Sequence, residues 1–163
     1  MNTPLPLDIA GVFLQPLAII PTPDGAVLHM LKAGSPLLPH FPQGFGEIYF
    51  SEVYAGHIKA WKCHKEQTQH FVVPIGLLQF VLCDGREDSP GKGKMVELRL
   101  GRPDNYNLLK SPPGVWYGFR SLDEQVSLIC NCASIPHDPQ ESIKLPWDSE
   151  LIPYNWGNGV FGK

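Results

Sequence analysis

Between Gly56 and Gly76 the chain reads G-H-I-K-A-W-K-C-H-K-E-Q-T-Q-H-F-V-V-P-I-G, and this stretch concentrates side chains able to do polar chemistry. Lys62 and His64 are two residues apart in a run with strand character, so they project from one face with Cys63 on the other. An imidazole is a proton-transfer group near neutral pH. A lysine joins it when a second cation and partial desolvation lower its pKa, and Lys59 is the candidate for that neighbour. Gln69 adds an amide; downstream, Trp116 adds an indole and Tyr117 a phenol able to act as an acid. Alternation puts Lys59 and Trp61 on the far side of the pleat from Lys62 unless a bulge intervenes. Two cations beside aromatic rings suit a phosphorylated or sugar-nucleotide ligand.

The elements that must position these groups read as strands. The 17 prolines and 16 glycines fall between short apolar runs, and no stretch of about a dozen residues keeps a helical period. Residues 11–20, interrupted at Pro16, and 26–32 form an N-terminal hairpin (11–32) about a turn at Pro23, Asp24 and Gly25. Gly34 to Gly46, with Pro36, Pro39 and Pro42, reads as a long surface loop. Strands are expected at 47–54, 58–62, 69–74, 77–84, 94–100, 115–119 and 126–132. In 94–100, Val96, Leu98 and Leu100 oppose Glu97 and Arg99; in 126–132, Val126, Leu128 and Cys130 share a face. The core barrel is expected over 46–135. Residues 136–163 form an irregular C-terminal segment, with a short helical turn near Asp138 to Ser142 and a loose tail from Gly157 to Lys163. Many short strands in one 163-residue domain (1–163) imply a sandwich or barrel.

The spacing of Gly56, Lys62, His64, Gln69 and Gly76 resembles the first metal-binding motif of the cupins, in which His, His and Glu fill the three middle places. Pro112, Gly114, Tyr117 and Ser121 match the spacing of the second, where Tyr117 replaces a His. The resemblance implies an all-β cupin double-stranded β-helix, or jelly roll. The four ligand places read Lys62, His64, Gln69 and Tyr117. A transition metal takes imidazole, carboxylate or thiolate donors, and a lysine cation repels it. With one good ligand of four, no metal and no cofactor are expected.

A wider resemblance covers Gly46 to Trp156. It rests on GEIYFSEV (46–53), which contains Tyr49, and on G-x-I-K-A-W (56–61). It continues through the D-x-R-x-x-S-P of Asp84, Arg86, Ser89 and Pro90, and PPGVWYGF (112–119). It ends on WD (147–148) and IPYNW (152–156). The chain resembles the dTDP-4-dehydrorhamnose 3,5-epimerases and their relatives among dTDP-sugar isomerases. That implies a homodimer whose pocket binds a dTDP-4-keto-6-deoxy sugar without metal. There a His base removes the protons acidified by the keto group and a Tyr acid reprotonates. On the family pattern Lys59 stands for the phosphate-binding Arg, which keeps the charge and loses the bidentate fork. Lys62 stands for the catalytic His, Tyr117 for a substrate-contacting His, and Ile135 falls on the acid Tyr. The His-x-His pair of the sugar 3,4-ketoisomerases reads Lys62 and His64. The resulting site set is Lys62, His64 and Tyr117 as catalytic groups, with Lys59, Gln69, Arg86, Trp116 and Tyr49 binding substrate.

Two readings stand beside each other: a divergent, metal-independent epimerase or isomerase of nucleotide sugars serving polysaccharide biosynthesis, and a non-catalytic cupin that binds a nucleotide sugar or carbohydrate. A structural relative recruited as an assembly partner is a third, opposed by the cationic and aromatic pocket. Composition narrows the partners. Apolar residues make up 43% and charged residues 18%, with a formal net charge of −3. The absence of a basic stripe excludes nucleic acid as a partner. Met1 to Gly11 has neither the basic nor the apolar region of a secretion signal, and no apolar run approaches the roughly 20 residues of a membrane span. The reading is cytoplasmic, with Cys63, Cys83, Cys130 and Cys132 as reduced, buried, small apolar side chains.

Overall fold

Apolar–polar alternation makes strands, and strands need facing surfaces to cover their apolar side. In the computed structural model, which describes residues 3–38 and 45–161, the chain meets that need with two six-stranded, mainly antiparallel sheets. One sheet runs β1 (Leu5–Pro6), β2 (Phe13–Pro16), β10 (Asn107–Ser111), β7 (Gln69–Ile75), β12 (Ser127–Ala133) and β5 (Glu47–Val53). The other runs β13 (Ser142–Lys144), β6 (His57–His64), β11 (Val115–Ser121), β8 (Leu77–Asp84) and β9 (Met95–Gly101), with β14 (Val160–Phe161) parallel to the start of β6. A small ribbon of β3 (Ile19–Ile20) and β4 (Val27–Leu28) lies outside both. Described residues include no helix. This is the jelly roll expected from the sequence.

Three apolar clusters hold it. Between the sheets lie Phe71, Val73, Leu78, Phe80, Leu82, Leu100, Leu109, Phe119 and Ile129. The N-terminal segment covers the outer side of the first sheet through Leu37, Val72, Tyr106 and Leu108. The C-terminal segment covers the second through Trp61, Val81, Cys83, Ile152 and Trp156. Leu77–Asp84 is buried on both sides because it faces the inner core and the C-terminal cluster at once, as its continuous apolar run predicts.

Several expected elements change. The 11–32 hairpin contracts to β3 and β4, because Phe13–Pro16 leaves it to pair with β10. β10 itself has no counterpart among the expected strands. In 126–132 the face that reaches the inner core is that of Ile129. Asp138–Glu141 is a single hydrogen-bonded turn, not helix, and leads directly into β13. The tail is tied rather than loose: Val160 and Phe161 pair with His57 and Ile58, and the Arg120 guanidinium donates to the Trp156 carbonyl at 2.6 Å. Part of the Gly34–Gly46 loop, and the last two residues, lie outside the described residues.

Candidate active site

The site is built on the outer half of β6. Its inner edge pairs with β11, placing Tyr117 opposite Lys62 and Phe119 opposite Lys59. Three residues on β11 (117–119) thus face four on β6 (59–62), and this bulge turns Lys59 onto the same face as Lys62. Trp61 packs its ring against Trp156, with centroids 5.1 Å apart, and also borders the cavity described next. The outer edge of β6 pairs with β13, which sets Lys144 beside Lys62 and Ser142 beside His64.

Lys59, Lys62, Lys144 and Tyr117 open into a cavity of about 440 Å³, within the range of small-molecule sites. Phe71, Phe119 and Ile129 form its apolar floor, and Tyr49, Ser51 and Asn131 enter from the first sheet. Among the described residues none of the three lysines forms an ion pair; Lys59 donates to Ser51 Oγ at 2.8 Å. Partial burial lowers the pKa of Lys62, the nearby Lys144 lowers it further, and Glu141 and Glu47 oppose. Lys59 is lowered by partial burial against the pull of Glu52.

Behind the cavity wall, His64 is buried and held at both ring nitrogens. Its Nε2 lies 3.0 Å from Tyr117 Oη, with the two rings nearly parallel at 11°. Its Nδ1 bonds Glu141 Oε2. Glu141 is fixed in turn by the backbone N–H groups of Glu66 and Gln67, both donating to Oε1 at 2.8 Å. Burial favours neutral Glu141, but these N–H donors and His64 outweigh it and keep its pKa below the usual range. Burial lowers the His64 pKa, and Lys62 adds to that against the opposing Glu141. Tyr117 is pushed well above the usual phenol value, chiefly by burial.

A second polar chain runs through the first sheet. Gln69 is buried beneath Asn131: its Nε2 donates to Gln67 Oε1, while its Oε1 accepts from Asn131 Nδ2. Asn131 Nδ2 also donates to Tyr49 Oη at 2.7 Å. Of the residues singled out from sequence, Lys59, Trp61, Lys62, Tyr117 and Tyr49 therefore line the cavity, while His64 and Gln69 stand directly behind its wall.

Trp116 and Arg86 do not line it. Trp116 alternates with Tyr117 and packs into the C-terminal cluster, over Gly85. Arg86 clasps Asp84 through Nε and Nη2, at 2.8 and 2.7 Å, and borders a separate surface depression with Ala10 and Glu87. Asp84 also accepts from Ser89 Oγ at 2.6 Å, so the D-x-R-x-x-S-P segment is built as a closed polar loop.

Glu141, Lys144 and Asn131 were not singled out from sequence. Glu141 meets His64 across 77 positions from a segment without periodicity. A buried imidazole needs partners at both nitrogens, and that requirement is the available clue. A divalent cation does not fit here. Of the four cupin ligand places only His64 is a good donor, and both its nitrogens are engaged. Among the described residues no group of three or more His, Cys, Asp or Glu side chains converges.

No family model matches the chain. It is 34% identical over 150 residues to the spore coat polysaccharide biosynthesis protein SpsL of Bacillus subtilis, covering 91% of this chain and 96% of that one. It is 34% identical over 118 residues to the probable low-salt glycan biosynthesis epimerase Agl13 of Haloferax volcanii, covering 70% and 74%. Among solved structures, a dTDP sugar isomerase from Desulfovibrio desulfuricans G20 superposes with a TM-score of 0.90 at 46% identity, covering 96% and 97%. Solved dTDP-4-dehydrorhamnose 3,5-epimerases, 14–21% identical with TM-scores of 0.74–0.83, share the fold.

Proposed function

Because the chain belongs to the family of dTDP-sugar isomerases and epimerases, we propose that its cavity binds a dTDP-4-keto-6-deoxyhexose and moves a proton next to the keto group. The observation that carries this is the grouping of Lys59, Lys62 and Lys144, without ion-pair partners among the described residues, in one cavity with Tyr117. Three cations suit a diphosphate and the negative charge that builds on the keto oxygen as a proton leaves carbon. Tyr117 is the proton-transferring group facing the ligand, backed by His64. Lys62, whose pKa burial and Lys144 lower, is the cation placed beside it.

The product would feed polysaccharide or glycan assembly, as the relatives' names suggest for those proteins. No helix among the described residues is long and apolar enough to cross a membrane. Four buried free thiols support a reducing compartment, which we take to be the cytoplasm. We also take the working unit to be a homodimer. β5 is an edge strand whose outer face exposes Ile48 (54%) and Phe50 (63%), surface that a second copy would cover.

NMR of dTDP-4-keto-6-deoxyglucose incubated with the protein in D2O tests the reading. Deuterium entering a ring position next to the keto carbon is expected. Binding without exchange would instead make this a non-catalytic nucleotide-sugar cupin.

A further inference from the structure

Tyr117, His64 and Glu141 form one continuous hydrogen-bonded line from the cavity into the protein, and its polarity can be assigned group by group. Glu141 is a carboxylate, able only to accept; Oε1 takes the N–H groups of Glu66 and Gln67, leaving Oε2 for His64. The Nδ1 of His64 must therefore carry a proton. In a neutral imidazole the Nε2 is then an acceptor, and among the described residues the donor within its reach is Tyr117 Oη, 3.0 Å away. The phenol points its proton away from the cavity and toward His64, leaving oxygen lone pairs for the ligand. Ser142 beside His64 on β13, and Cys63 before it, offer no competing ionised group. The charges acting on the imidazole are those of Glu141, Lys62 and Glu47.

We propose that Tyr117 acts as a base through this line: it takes a proton from the substrate carbon while passing its own to His64, which Glu141 holds in place to receive it. This rests on the reading of the cavity given above. The bookkeeping of atoms closes. The C–H bond next to the keto group breaks, its proton bonds to the Tyr117 oxygen, and its electron pair moves onto the keto oxygen as an enolate. The Tyr117 O–H bond breaks in the same event, and that proton bonds to His64 Nε2, giving an imidazolium paired with the Glu141 carboxylate. The abstracted hydrogen, now on the Tyr117 hydroxyl, exchanges with solvent before reprotonation of carbon runs these transfers in reverse, and that exchange is what carries deuterium into the ring. The raised pKa of Tyr117 is no obstacle, because no free phenolate is formed. His64 and Glu141 touch no substrate; they are positioning residues that decide the direction of the phenol proton.

The test combines a spectrum and a variant. In 15N NMR of the wild-type protein at neutral pH, His64 is expected as the Nδ1–H tautomer. An Nε2–H tautomer overturns the proposal, whether or not any variant folds. In Glu141→Gln the amide donates to Nδ1 and forces the proton onto Nε2, which then donates to Tyr117 instead of accepting. Deuterium wash-in is expected to lose about 100-fold in kcat, with KM for dTDP-4-keto-6-deoxyglucose nearly unchanged, and Glu141→Asp is expected to recover part of it. Wild-type exchange with Glu141→Gln at the same rate overturns the relay alone. No exchange in the wild type overturns the underlying reading and the relay with it.

Discussion

Lys59 and Lys62 stand three residues apart on one strand and both open onto the same cavity, because β6 carries an extra residue against the Tyr117–Phe119 stretch of β11. Strict alternation would have sent them to opposite faces of the sheet. The bulge therefore makes the cationic wall, and each lysine is expected to serve it differently. Lys62→Met, beside Tyr117, should lower turnover at least tenfold. Lys59→Met, where the lysine bonds Ser51 rather than standing beside Tyr117, should mainly weaken binding of dTDP, by roughly tenfold if one charge-assisted contact is lost. Calorimetric titration with dTDP and the deuterium assay separate the two; a Lys62→Met protein with full turnover would remove that lysine from the chemistry.

The bulge depends on a residue that never touches ligand. Gly118 lies between Tyr117 and Phe119, where an added Cβ would sit 2.6 Å from Ala60 Cβ and 3.0 Å from Trp156 Cζ2. Ala60 belongs to the β6 backbone that carries Lys59, and Trp156 to the C-terminal cover, so neither yields freely. Gly118→Ala is expected to cost about 1–3 kcal/mol by overpacking and to weaken dTDP binding as the wall shifts. Urea unfolding and thermal shift with dTDP measure both. A variant as stable as the wild type would mean that the wall is softer than its packing indicates.

These two cases mark the boundary of what the sequence made legible. Alternation and punctuation by Gly and Pro are local, and they located the strands from Glu47 to Asp84 with errors of a residue or two at the ends. The pairing of two glycines with Lys62, His64 and Gln69 pointed to the right strands of a jelly roll. What depends on a partner far along the chain was not legible. Asn107–Ser111 is a strand because Phe13–Pro16 and Gln69–Phe71 flank it, not because its five residues demand it. Lys59 faces inward because β6 carries one residue more than the stretch of β11 it pairs with. Gln69 keeps its expected strand but lies under Asn131, and Glu141 reaches His64 from a segment whose structure is only a turn. Trp116 and Arg86 share motifs with Tyr117 and Asp84, yet alternation and a local ion pair direct them elsewhere.

Acid sensitivity should come first from histidine. His64 and His70 both have pKa values lowered, chiefly by burial; Lys62 and Lys110 add to the lowering, and Glu141 and the Leu37 and Cys132 carbonyls oppose it. Unfolded, each takes up a proton near pH 6.5, whereas folded each does so only at lower pH. Between those values the unfolded chain binds more protons, so stability rises with pH. The contribution is complete above about pH 6.5 and is lost as pH falls through the folded values, at no more than about 1.4 kcal/mol per pH unit for each histidine. The carboxylates enter lower: Asp84, held at about 2 by Arg86 and Ser89, starts to lose its contribution below the ordinary carboxylate value of about 3.9 and has lost it once pH falls through about 2. Urea midpoints from pH 8 to 5 should hold level and then decline below about 6.5, less steeply in His64→Gln. Level midpoints down to pH 5 would contradict the burial argument.

Asn131 lines the cavity and carries an acceptor with no hydrogen-bond partner among the described residues. Its Nδ2 is used twice, on Gln69 Oε1 and Tyr49 Oη, while its buried Oδ1 has no hydrogen-bond partner among the described residues. A buried acceptor left unpaired costs about 1–3 kcal/mol, and this one belongs to a residue that lines the cavity. A hydroxyl or N–H of the bound nucleotide sugar would satisfy it, while Gln69 and Tyr49 hold the amide against rotation. Asn131→Ala is therefore expected to raise Kd for a dTDP-hexose about five- to tenfold, the value of one neutral hydrogen bond. It should also lower stability by about 1 kcal/mol or more, since Gln69 Oε1 loses its donor. Titration calorimetry on a variant shown folded by its urea transition decides the point: an unchanged Kd would mean that the Oδ1 meets no ligand donor.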